Sequence, residues 1–243
     1  MFVSPTNPRV DLLQPFDGVY DEYGDRTDRG ILDGYITANG RPCISWDHGP
    51  NRSAAEWHQY LQLKLIMGCT PTVPSPLGDH TLTNTSATVV GFFKMYAPLF
   101  AQLRGKRWLL RPHAVSAVGS DGSALWANIF TVAAGKVMAV VSAATLLETA
   151  TAHVHLQNLP FSTAPSVRVL RAGAPTVSVT AMNVSASGGE VDLRVAVGLR
   201  FGGAVLLLSR ARAAKADDEI ASNLQTFSGE EKFSKKFFDS GVR

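Results

Sequence analysis

The rhythm of apolar positions changes near residue 106. Before it, short apolar runs alternate with segments whose apolar residues recur every three or four positions. After it, short runs follow one another with turn residues between them. The first rhythm predicts successive βα units and the second a series of strands.

In the first part, "PFDGVYDE" and "GRPCISWDHGP" read as short strands ending in polar groups, and "CTPTVPSPLGDHTL" as a third strand running into a Pro-rich loop. "NRSAAEWHQYLQLKLIMG" predicts a helix. Ser53 and Glu56 have capping-box spacing, Trp57, Tyr60, Leu61 and Leu65 lie along one side, and Gly68 is the stop signal. "SATVVGFFKMYAPLFAQLRG" predicts another, with Val89, Phe92, Phe93, Tyr96, Leu99, Phe100 and Leu103 at helical spacing and Pro98 expected to kink or split it.

The second part predicts about eight strands, near 107–115, 124–130, 136–143, 151–157, 167–171, 176–181, 190–197 and 203–209. Val191, Leu193, Val195 and Val197 alternate with Asp192, Arg194 and Ala196, the pattern of a strand with one covered face. Such a series makes a two-sheet antiparallel β-sandwich. Beyond Arg210 the chain is charged and weakly periodic, which predicts a helical or disordered tail. The expected fold class is therefore α/β plus all-β, with an α/β segment over 1–105, a β-sandwich over 106–210 and a tail over 211–243.

Composition narrows the function classes. A hydrophobic fraction of 45% with 18% charged residues over 243 positions is enough for a proper core. No run of about 18 uncharged apolar residues occurs, and the amino-terminal segment lacks the basic start and apolar middle of a signal peptide, so no membrane role is expected. Two cysteines, Cys43 and Cys69, are too few for a disulfide framework and have no Cys/His quartet nearby for zinc. No Walker or dinucleotide glycine pattern follows a strand, so no cofactor is implied.

The net charge of +3 conceals an uneven distribution. Residues 1–80 carry six basic and ten acidic side chains, whereas residues 81–200 carry ten and four. A basic stripe with interleaved aromatics is missing, which argues against nucleic acid as a partner.

The acidic part holds the candidate chemistry. "FDGVYDEYGDRTDRGILDG" fails as a calcium loop: counted from Asp25, Gly30 fits the sixth position, but Arg29 fills the fifth and Ile36 the twelfth. Asp25, Asp28 and Asp33 read as solvated loop. Asp21 and Glu22 follow directly on a strand, and strand ends are where a βα barrel collects its catalytic groups. Trp46, Asp47 and His48 close the second strand, and Asp79 and His80 follow the third. If those ends adjoin, they assemble carboxylates, imidazoles and aromatic faces, including Tyr23, around one pocket. Two carboxyl groups then divide the work of glycoside hydrolysis, and flat rings stack on a pyranose. Two other patterns are weaker. His153 and His155 share a strand face that reads as solvent-facing, and Ser116 has no nucleophile-elbow motif around it.

On "DGVYDEYGD", "GRPCISWDHGPN", "LIMGCTPTVPSPLGDH" and "YAPLFAQLRGKRWLLRPHAV", the chain resembles the carboxy-terminal portion of a TIM-barrel glycoside hydrolase of the α-galactosidase-like kind, followed by its β-sandwich domain, over roughly residues 10–209. The resemblance implies a carbohydrate partner, O-glycosyl hydrolysis, and a catalytic role for Asp21 or Glu22; among the residues themselves, Asp47 and Asp79 are the alternative carboxylates. Three βα units cannot close a barrel built from eight. The pattern is thus that of a fragment or a relic, whose open edge calls for a partner chain or a further amino-terminal segment. A non-catalytic carbohydrate-binding or assembly module is the other reading.

Overall fold

The structure, a computed structural model, describes residues 2–3, 18–21, 41–45, 52–73, 85–143, 150–177, 181–184, 189–197 and 204–210. Its architecture is mixed α/β, with few helices and extensive antiparallel sheet.

Four short strands, β1 (Phe2–Val3), β2 (Gly18–Asp21), β3 (Cys43–Ser45) and β4 (Thr70–Pro71), form a parallel sheet in chain order. Helix α1 (Ala54–Met67) connects β3 to β4. Its ends are those expected. The Ser53 hydroxyl accepts from the Glu56 N–H at 3.3 Å, the Glu56 carboxylate accepts from the Ser53 N–H at 2.8 Å, and Gly68 ends the helix at φ +66°. Helix α2 (Ala87–Phe100) runs through Pro98 instead of splitting there. Pro98 stands in its last turn, and a short 3₁₀ segment, Ala101–Leu103, continues it.

The two cysteines pair with each other. Cys43, opening β3, and Cys69, just before β4, are joined by a disulfide with Cα atoms 4.6 Å apart. Two cysteines make no framework, but parallel neighbours β3 and β4 bring this pair within bonding distance.

The remaining strands are β5 (Arg107–Trp108), β6 (Val115–Gly119), β7 (Leu125–Val132), β8 (Lys136–Ala143), β9 (Ala150–Leu156), β10 (Pro165–Arg171), β11 (Ala174–Val177), β12 (Ala181–Val184), β13 (Val191–Val197) and β14 (Ala204–Arg210). They form a six-stranded sheet, β11-β10-β14-β8-β7-β5, and a four-stranded sheet, β12-β13-β9-β6. Their pairings are antiparallel. Two expected strands are each divided between the sheets. The run expected over 107–115 breaks at Pro112 and His113, where His113 has φ +55° and the Ala114 N–H donates to the Arg111 carbonyl. The run expected over 176–181 spans the passage from β11 to β12.

The sheets share one aliphatic core. Leu125, Ile129, Val137, Ala139, Leu206 and Leu208 of the six-stranded sheet meet Ala152, Val154, Leu156, Val191, Leu193 and Val195 of the four-stranded sheet. On its other face, the six-stranded sheet presents Phe130, Val132, Met138, Val140, Val205 and Leu207 to the two helices. There Trp57 stacks on Phe92 at 6.3 Å, and Tyr96 and Leu99 are fully buried. Helices, six-stranded sheet and four-stranded sheet thus succeed one another as layers. The face of the four-stranded sheet that bears Asp192 and Arg194 is exposed.

Candidate functional site

Parallel pairing decides where the acidic strand ends go. Asp21 is the last residue of β2 and is in register with Ser45, the last of β3, which is in register with Pro71, the last of β4. Three carboxyl-terminal strand ends therefore stand side by side along one edge of the sheet. Neighbouring strands in a sheet are about 4.8 Å apart, so the chain leaves this edge at three adjacent points. Of the residues expected to form the site, Asp21 is placed here by its backbone. Glu22, Tyr23, Trp46, Asp47, His48, Asp79 and His80 lie outside the described residues.

A second arrangement occupies the open face of the four-stranded sheet. Cross-strand register places Ser116 of β6 opposite His155 of β9, and His155 opposite Asp192 of β13; the next row holds Val118, His153 and Arg194. His155 Nδ1 and Asp192 Oδ1 are 2.7 Å apart. A Nδ1–H donated to the carboxylate leaves Nε2 as an acceptor in the neutral ring. These side chains line a shallow groove of about 300 Å³. A hydroxyl, an imidazole and a carboxylate in one row suggest nucleophilic catalysis, but an open sheet face neither excludes water nor supplies a sheltered oxyanion pocket. The groove presents a hydroxyl, two imidazoles, a carboxylate and a guanidinium on an exposed face.

His153 and His155 do share a solvent-side face, as their spacing predicts. The Asp192 partnership was not visible from the sequence, because it depends on the register of two strands separated by 37 residues. Among the described residues, no cluster of three or more His, Cys, Asp or Glu is placed to hold a metal.

A third polar group lies between α1, α2 and β8, with Gln62, Tyr96 and Ser142 buried and His58 partly buried. His58 Nδ1 meets the Tyr96 hydroxyl at 2.9 Å, Gln62 Nε2 donates to the same hydroxyl at 3.5 Å, and the Ser142 hydroxyl donates to Gln62 Oε1. Asn128 Nδ2 donates to the Ile66 carbonyl. Burial lowers the His58 pKa and raises that of Tyr96, which favours the neutral form of each. Enclosed by packed aromatic rings, this network fixes how the helices seat on the sheet.

Neither a family model nor a curated protein sequence matches the chain. Among solved structures, the GH51 arabinofuranosidase from Xanthomonas axonopodis pv. citri aligns with a TM-score of 0.28 and 11% identity, over 79% of this chain and 58% of that one. The aligned part is less than two thirds of that enzyme's length. This is a weak structural likeness to a glycoside hydrolase, too weak to carry an argument about family or substrate.

Proposed function

We propose that the chain is a glycoside-hydrolase-like protein whose sugar site lies at the carboxyl-terminal edge of the parallel sheet. The observation that supports this is the in-register ending of β2, β3 and β4 at Asp21, Ser45 and Pro71. In this reading residues 1–105 are a partial (β/α) barrel and residues 106–210 its sandwich companion, with the charged tail beyond.

Asp21, Glu22 and Asp47 are the carboxylates of the proposed site. One protonates the departing glycosidic oxygen while another attacks the anomeric carbon or activates water. Tyr23 and Trp46 present flat faces to the ring, and His48, Asp79 and His80 hydrogen-bond its hydroxyls. In this reading a partner chain or further strands cover the edge that is unpaired among the described residues.

The test is hydrolysis of a panel of aryl glycosides, beginning with α-galactosides, by the chain and by Asp21→Asn, Glu22→Gln and Asp47→Asn. Loss of general acid or base function costs about 10²–10⁴-fold in rate. Activity that survives all three substitutions removes the assigned roles.

The groove on the four-stranded sheet favours a second reading, a non-catalytic carbohydrate-binding module. Its polar pair, His155 and Asp192, is held at 2.7 Å on an accessible face. Sugar binding without turnover, abolished by Asp192→Ala, is the outcome that selects it.

A further inference from the structure

Lys106 follows Gly105 at the end of the turn that leaves the 3₁₀ segment, inside the charged run "RGKRW". Such a position ordinarily sends a lysine into solvent. Here the residue is 4% exposed, and its Nζ is buried without a hydrogen-bond partner. Gly68 makes the space. A Cβ at that position would stand 3.0 Å from both Cδ and Nζ of Lys106 and 3.2 Å from Phe130 Cε1. Gly68 therefore has two duties, capping α1 in the left-handed conformation and giving the amine a place to lie.

A buried ammonium with nothing to compensate it is costly. Burial accordingly pulls the Lys106 pKa down to about 8, which still leaves the group mostly charged at neutral pH. The surroundings explain what such a charge is for. Lys106 and Gly68 are walls of a cavity of about 560 Å³ at the amino-terminal starts of β3 and β4. That is the sheet edge opposite Asp21. Arg41 and Arg104 line the same cavity, no acidic residue does so among the described residues, and Phe100 and Leu103 supply apolar wall.

We propose that this cavity binds a small organic anion, its carboxylate or phosphate held by Lys106, its charge met by Arg104 and its apolar part lying against Phe100 and Leu103. Lys106 Nζ has almost no accessible surface as it lies, so a swing of its side chain into the cavity brings the ammonium to an entering oxyanion, where a charge-assisted hydrogen bond replaces lost hydration. A cavity of this volume suits a ligand of metabolite size. The site is separate from the proposed sugar site and does not depend on it.

The experiment is calorimetric titration of the full chain with phenyl phosphate, benzoate and uncharged phenol. At least one of the anions binds and phenol does not; binding of phenyl phosphate alone assigns a phosphate, and of benzoate alone a carboxylate. Lys106→Met weakens that binding by about tenfold or more, equivalent to ~1.4 kcal/mol, while the free variant melts no lower than the wild type because an uncompensated charge has gone. Arg104→Gln weakens it by a smaller factor. Failure of both anions to bind, or binding that survives Lys106→Met, overturns the proposal.

Discussion

The two antiparallel sheets differ in what covers them. In β8 and β14 both sets of alternating residues are buried: Val137, Ala139 and Val141 face the other sheet while Met138 and Val140 face the helices, and Leu206 and Leu208 are likewise backed by Val205 and Leu207. In β9 and β13 one set is buried, Val154, Leu156, Leu193 and Val195, and the other is polar, His153, His155, Asp192 and Arg194. A sheet between two layers produces continuous apolar runs such as "VMAVV" and "VLLL", whereas a sheet with one open face produces strict alternation. The same contrast places a row of polar side chains on the open face and a hydrogen-bonded network beneath the helices.

Substitutions should reproduce this contrast, beginning with the helix-covered face. Phe130 is fully buried there, and its ring lies 4.8 Å from that of Trp108. Phe130→Ala is expected to cost about 3–5 kcal/mol in denaturant unfolding. Next is the Cys43–Cys69 bridge, which closes a separation of 26 residues. Replacing both cysteines with serine, or adding a reductant, should destabilise by about 3 kcal/mol through the chain entropy restored to the unfolded state. An unchanged melting temperature under reducing conditions contradicts it. Ser142→Ala leaves buried Gln62 short of a donor and should cost about 1–3 kcal/mol. Arg194→Ala, on the open face, is expected to stay within about 0.5 kcal/mol of wild type. A large loss there would mean that the face is covered.

Acid sharpens the comparison further. Burial depresses the His58 pKa below its usual 6.5, so the unfolded chain takes up that proton before the native one does. Stability should therefore fall as pH drops from about 6.5 toward the lower native value. His58→Gln should remove that part of the pH dependence. A wild-type profile identical to the variant's would show that the imidazole is not shielded.

Much of the fold was legible where local signals were strong. Ser53, Glu56 and Gly68 marked both ends of α1, and the alternation from Val191 to Val195 identified a strand with one covered face. The misses are long-range. Pro112 and His113 interrupt an apolar run so that β5 and β6 enter different sheets, which no local periodicity encodes. Covering the six-stranded sheet with α1 and α2 is likewise a tertiary choice, as is burying Lys106 from within a charged run. For the candidate site, the sequence suggested that the acidic strand ends belong together. Parallel register aligns the ends at Asp21 and Ser45, and the side chains beyond them are the substance of the functional proposal.

The most direct measurement is saturation-transfer NMR between the protein and a panel of monosaccharides and aryl glycosides. Transfer to the sugar ring that is lost in the combined Asp21→Asn, Glu22→Gln, Asp47→Asn protein, and kept in His155→Ala, is the predicted result. Transfer that persists in the triple variant, or disappears with His155→Ala alone, contradicts a sugar site at the edge where β2, β3 and β4 end.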